Sequence, residues 1–177
     1  MKKRTKTVLV VIAGVVSAIV LTFVGVVAYF IYTFPSFNEY PHQSDEVMLS
    51  RFHEHRAEFE RLRAMAEEDD VMRRVDDTWT GPANLPDARV AKYRRLFKLV
   101  GTPRGISKYR DQNKVVFLVS TLGWVASGSS KGYLYSPGKR PSGKFIDSLN
   151  DEEKLRERDV YFLRQIEGDR YLFFERS

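Results

Sequence analysis

The sequence predicts an α+β protein: one N-terminal transmembrane helix, then two helices packed on an antiparallel sheet of four to six strands. Three observations predict it. An apolar run fills residues 8–34, with no Asp, Glu, Lys or Arg between Lys6 and Glu39. Helix-period apolar stripes follow, over residues 45–69 and again over 87–100. Alternating, β-branched and aromatic segments then take over to the C-terminus. Helices before strands argue against a doubly wound parallel sheet.

At about 1.5 Å per residue the apolar run would span roughly 40 Å as a helix, more than the ~30 Å hydrocarbon core of a bilayer. A helix satisfies all of its own backbone polar groups in lipid, so residues 7–34 are assigned to a transmembrane helix. Lys2, Lys3, Arg4 and Lys6 form a basic tail, residues 1–6, whereas 35–50 has no Lys or Arg and carries Glu39, Asp45 and Glu46. The positive-inside rule places the N-terminus in the cytoplasm and the remainder outside. A single anchor with no disulfide and no glycosylation sequon fits the inner (cytoplasmic) membrane of a bacterium, with a eukaryotic type II orientation as the alternative. Tyr29, Phe30, Tyr32, Phe34, Phe37 and Tyr40 gather at the outer end, where amphipathic rings favour headgroups. The rival reading is a cleaved signal peptide ending near Val26-Val27-Ala28. Its apolar region would be about 20 residues long, against the usual ~7–15.

Residues 35–44 read as a linker and 45–177 as one exported domain. All 23 Asp and Glu and 25 of the 29 Lys and Arg lie beyond residue 34, a balance of +2. The basic pI therefore belongs partly to the membrane flank and gives no case for nucleic acid. No cysteine is present, which excludes disulfides, thiolate metal sites, a thiol nucleophile and a lipidated cysteine. No Asn-x-Ser/Thr glycosylation sequon occurs either.

Within the domain, Ser44 is the expected N-cap of a helix running to about Asp69, with Asp45 and Glu46 in its first turn. Leu49, Phe52, Phe59, Leu62 and Ala66 form its apolar stripe. Val71 to Trp79 suggests a short strand closed by Gly81-Pro82. Asp87 is the expected cap of the second helix, after Pro86; the helix buries Val90, Tyr93, Phe97 and Val100 and stops at Gly101. Lys114 to Thr121 reads as strand. Trp124–Ser127 and Gly132–Ser136 are expected to flank a hairpin loop, Gly128-Ser129-Ser130-Lys131. A final hairpin joins Val160–Glu167 to Arg170–Glu175 through Gly168-Asp169, with Glu167 opposite Arg170 and Leu163 opposite Phe174.

Candidate chemistry is sparse. Gly123 to Lys131 imitates a phosphate-binding loop, but two serines separate the second glycine from the lysine and a strand follows instead of a helix. The turn amides with Lys131 remain a candidate anion site. A penicillin-binding Ser-x-x-Lys pattern fails because Gly128 stands three before Lys131. Among the three histidines, His53 and His55 point about 200° apart on a helix and cannot share a metal, and His55 is placed at a helix–sheet seam. Glu67 to Asp70 lacks EF-hand spacing. No cofactor and no metal site is expected, and a glycosidase-type carboxylate pair cannot be picked among 23 acids. The binding candidates are Lys131, Lys139, Arg140 and Lys144 with Tyr133 and Tyr135, a basic, tyrosine-flanked surface for an anionic envelope polymer, lipid headgroups or an acidic partner. Gly14, Ala18 and Thr22 offer a small-residue stripe through which two spanning helices could form a homodimer.

Ser127-Gly-Ser-Ser-Lys-Gly-Tyr-Leu-Tyr135, Ile146-Asp-Ser-Leu149 and Arg170-Tyr-Leu-Phe-Phe-Glu175 together resemble a group of small bacterial envelope proteins with an N-terminal anchor or lipid attachment and no known activity. The resemblance implies a bacterial source and an exported site, and brings no catalytic residue. The functional expectation is a non-enzymatic interaction or accessory module held at the membrane. The alternative is an anchored enzyme that acts on an envelope polymer through unidentified Asp and Glu residues.

Overall fold

A computed structural model describes residues 14, 16–26, 29, 42–81, 85–124 and 127–177. The chain divides into two compact units, Met1–Pro41 and His42–Ser177. In the first, the described residues are helical, and the Thr22 hydroxyl donates to the Ala18 carbonyl at 2.8 Å. No helix among the described residues is long and apolar enough to cross a membrane. The expected span, the basic tail and most of the linker lie largely outside the described residues.

The second unit is α+β. Its helices are α1 (Asp45–Glu54), α2 (Arg56–Glu68), α3 (Asp87–Val100) and the single turn α4 (Glu152–Leu155). Its strands are β1 (Arg74–Val75), β2 (Thr80–Gly81), β3 (Ile106–Tyr109), β4 (Lys114–Trp124), β5 (Ser127–Tyr135), β6 (Lys144–Phe145), β7 (Val160–Glu167) and β8 (Arg170–Arg176). They form one sheet in the order β2-β1-β3-β4-β5-β8-β7-β6, antiparallel except for the parallel pair β6–β7. The sheet is thus mixed and eight-stranded, larger than the expected four to six antiparallel strands. The members outside that expectation are β2 and β6, with two residues each, and the four-residue β3, all too short to show a clear period-2 pattern in sequence.

Ser44 caps α1 as expected, its hydroxyl accepting from the Val47 N–H at 3.5 Å. The long first helix is in fact two, interrupted at His55 (φ −111°, ψ 29°). In α3 the N-cap is Pro86, with no side-chain cap bond, and Asp87 is already the first helical residue instead of the cap; Gly101 closes the helix as expected, in the left-handed region at φ 63°. The expected loop at 128–131 is overturned: these residues lie inside β5, which pairs with β4 from Val115↔Tyr135 to Trp124↔Ser127. The glycines of β5 make room for the neighbouring strand. A Cβ on Gly132 would sit 2.2 Å from the Phe117 carbonyl oxygen.

Strand alternation gives the sheet two apolar faces. Ile106, Phe117, Tyr133, Phe162, Leu172 and Phe174 meet the helices, which contribute Phe52, Phe59, Leu62, Tyr93 and Phe97. Leu134, Leu163, Tyr171 and Phe173 form a smaller cluster on the other face. Gly168-Asp169 makes the predicted two-residue turn, with Gly168 at φ 48° and Glu167 opposite Arg170. Beyond it a bulge shifts the register, so Leu163 opposes Phe173 and not Phe174.

Candidate functional site

Two β-bulges build the polar centre of the domain. In β4 the register shifts between Leu118 and Ser120, which sets Ser120 opposite Lys131. In β7 it shifts between Gln165 and Glu167, which sets Arg164 opposite Leu172. A one-residue change of register moves a side chain to the other face of a sheet. Without the bulges, Ser120 would oppose Ser130 and Arg164 would oppose Phe173, on the face away from the helices. With them, Ser120, Ser129, Lys131 and Arg164 all face the first turn of α1.

Asp45 enters that space from α1. It is 0 % exposed and Lys131 is 1 % exposed, with 2.8 Å between Oδ1 and Nζ. The other oxygen, Oδ2, accepts from Arg164 at 2.6 Å and from the Leu149 N–H at 2.7 Å. Lys131 also donates to the Leu149 carbonyl at 3.1 Å. Asn150 ties the 149–150 segment to α1 by accepting the Asp45 N–H at 2.8 Å and donating to Glu46. Burial pushes the Asp45 carboxyl upward, but its bonds to Lys131, Leu149 and Arg164 outweigh it and hold the pKa below its ordinary value. Burial also lowers the Lys131 pKa, and Asp45 only partly offsets that. Oδ2 is fully hydrogen-bonded, whereas Oδ1 faces the Lys131 ammonium at 2.8 Å without a well-aligned hydrogen bond of its own.

His42 lies beside this triad. Nδ1 is 2.6 Å from the Ser120 hydroxyl and Nε2 is 2.8 Å from the Ser129 hydroxyl, while the ring meets Phe174 edge-on at 5.3 Å. Burial first, and then the charge of Lys131, lowers the His42 pKa from 6.5 to about 4. The imidazole is neutral at pH 7, donating to one serine and accepting from the other. A base so weak, with a serine where a triad would place its carboxylate, is poorly suited to activating a nucleophile. Its effect is to fasten the chain ahead of α1 onto β4 and β5. Between pH 6.5 and 4 the unfolded chain binds a proton that the folded chain refuses, so stability falls as pH drops through that window. The expected loss is at most about 3 kcal/mol, and His42→Gln should abolish that portion of the slope. Thermal unfolding of both proteins at pH 7 and 4.5 checks this, and parallel profiles would refute it.

The residues expected to form a basic surface do not converge. Lys131 is buried against Asp45, which removes both the exposed-lysine and the anion-turn readings. Tyr133 is buried with its hydroxyl donating to the Met48 carbonyl at 2.9 Å, and burial raises its pKa. Tyr135 lies between Arg63 and Arg170, 5.1 and 5.6 Å from its ring centre. Lys139 is exposed. Arg140 stacks over Phe145 at 4.0 Å, and Lys144 approaches the Phe162 ring at 5.4 Å. Phe145 and Phe162 belong to opposite faces of the sheet, so the two cations diverge. His55, at the helix break, stands 3.9 Å from both Glu54 and Glu58. Among the described residues no group of His, Asp and Glu could hold a metal ion, and Asp45 is the only buried carboxylate.

The open feature of the domain lies elsewhere. A surface groove of about 290 Å³ runs along the seam of α2 and α3, floored by Ala57, Leu96 and Leu99 and rimmed by Glu58, Arg61, Lys92 and Arg95. Sequence reading assigned the stripes that face inward and passed over this outer seam. Its signal was present in Arg61 and in Lys92, Arg95 and Leu99, three and four apart along α3. Neighbouring arginines are already paired: Arg56 with Glu167, Arg63 with Glu60 and Glu67, Arg89 with Asp69 and Glu68, Arg170 with Glu60. Arg61, Lys92 and Arg95 carry no ion pair among the described residues. No protein-family model matches the chain. No curated protein and no solved structure is similar to it either.

Proposed function

We propose that this protein is a single-pass, membrane-anchored interaction module of the bacterial envelope, with its α+β domain outside the cytoplasm, where it docks a partner. The observation that carries the docking half is the α2–α3 groove, which is shallow, apolar at its floor, basic at its rim and open to solvent. Binding surfaces of this kind differ from catalytic clefts, which gather titratable groups around an enclosed space. The buried polar groups of the domain support the same reading, because Asp45, Lys131 and His42 spend their hydrogen bonds holding the start of α1 to the sheet. The anchoring half rests on the 27-residue apolar stretch and on four basic residues before it against none in the segment after it.

Topology is tested by fusing alkaline phosphatase or a cytoplasm-restricted fluorescent protein after Ser177. The phosphatase fusion should be active and the fluorescent one dark. The reverse pattern overturns the orientation. Docking is tested separately, by purifying the tagged full chain from detergent-solubilised membranes and identifying bound proteins by mass spectrometry. A chain that repeatedly emerges without a stoichiometric companion would count against the module.

A further inference from the structure

We propose that the α2–α3 groove receives an acidic segment of a partner protein, one that carries a large apolar side chain between carboxylates. The inference rests on the interaction-module reading and names the chemistry of its partner. Charge and shape both select this occupant. Arg61, Lys92 and Arg95 surround the groove without a counter-ion among the described residues, while Glu58, the one acid on the rim, stands near His55. The remaining arginines of α2, Arg56 and Arg63, are neutralised by Glu167, Glu60 and Glu67. Three cations against one carboxylate leave the groove with an excess of positive charge, and opposite charge on a partner would be drawn to it and fixed in register.

The floor supplies the apolar requirement. Leu99 is 49 % exposed, and Leu96, at 7 %, lies beneath the rim. Ala57 opposite them is small, which is why the seam stays open. A side chain projecting from a peptide reaches such a floor, whereas a bilayer surface would touch the rim cations and leave the floor wet. A purely anionic polymer would likewise leave Leu96 and Leu99 uncovered. Two helices that present residues three and four apart form the slot into which a third amphipathic segment lays its side chains.

The test places a photo-reactive benzoylphenylalanine at Leu99 in the full-length chain in its native membrane. A control carries it at Trp79, which is exposed on the β1–β2 turn. Irradiation should join Leu99, and not Trp79, to one protein, and the joined peptide should contain Asp or Glu beside Leu, Ile, Phe or Met. A triple variant, Arg61→Glu/Lys92→Glu/Arg95→Glu, should retain its unfolding temperature and lose the cross-link by roughly tenfold or more. Reversing the acids of the captured peptide to Lys should restore it. Cross-links to lipid alone, to a second copy of this chain, or to a peptide without carboxylates overturn the proposal, as does no cross-link. A companion protein that still co-purifies with the triple variant would leave the module reading standing and place its interface away from this groove.

Discussion

Asp45→Ala should lower the unfolding free energy by about 3–5 kcal/mol, because it leaves a buried lysine with no opposite charge against it. Lys131 is 1 % exposed and retains only the Leu149 carbonyl and Asn150 as polar contacts once the carboxylate is gone. Arg164 is better placed to recover, since more than a quarter of its side chain reaches solvent. The pair itself is not the most stable filling of that space. Asp45→Leu with Lys131→Met should therefore come back to within about 1–2 kcal/mol of the natural protein, far above the sum of the single losses. Urea unfolding of the two single variants and the double completes the cycle. An Asp45→Ala loss within ±0.5 kcal/mol, the range of an ordinary surface change, would contradict the buried triad. The pH sign follows from the same contacts. A carboxyl whose folded pKa is held below its free value of 3.8 contributes stability in full above that pH and loses it as pH falls further.

The second large effect is expected at Phe59, where Phe59→Ala should cost about 3–5 kcal/mol. This ring is 3 % exposed and joins α2 to the sheet. Its centre lies 4.7 Å from Tyr133, 5.4 Å from Phe117 and 5.4 Å from Phe52. Truncation removes three aromatic contacts at once and leaves a cavity between a helix and a stiff sheet, which cannot collapse into it. Phe59→Leu keeps most of the volume and should lose less than half as much. Thermal or urea unfolding of both variants decides the matter. A loss below about 1 kcal/mol for the alanine variant would mean that α2 is not anchored through this face.

Phe59 and Asp45 differ in how far the sequence reveals them. Phe59 belongs to a stripe of helical period, and its burial could be read from neighbours three and seven residues away. The same local logic located the Ser44 cap, the Gly101 stop and the Gly168-Asp169 turn, each of which depends on residues adjacent in the chain. Asp45 looked like an exposed first-turn acid stabilised by the helix dipole. Lys131 looked like the tip of a loop, because a run of Gly and Ser ordinarily marks a turn. Both impressions failed for one reason: the partners are 86 and 119 residues away from Asp45, and no local pattern records such a pairing.

The sequence by itself determined the α+β composition of the domain, the helix ends at Ser44 and Gly101, the Gly168-Asp169 turn of the last hairpin and the inward faces of α2 and α3. Those features follow from backbone sterics and apolar periodicity, which act over a few residues. Tertiary structure alone decided which side of the sheet Ser120 and Arg164 would face, because each depends on a single extra residue in a strand paired with a distant one. It also decided that Lys131 would be buried against Asp45 and the Leu149 carbonyl, an arrangement tolerated only where those partners are already in place. The groove of α2 and α3 arose the same way: the cations on each helix are visible in sequence, but their convergence over Leu96 and Leu99 exists only once the two helices pack side by side.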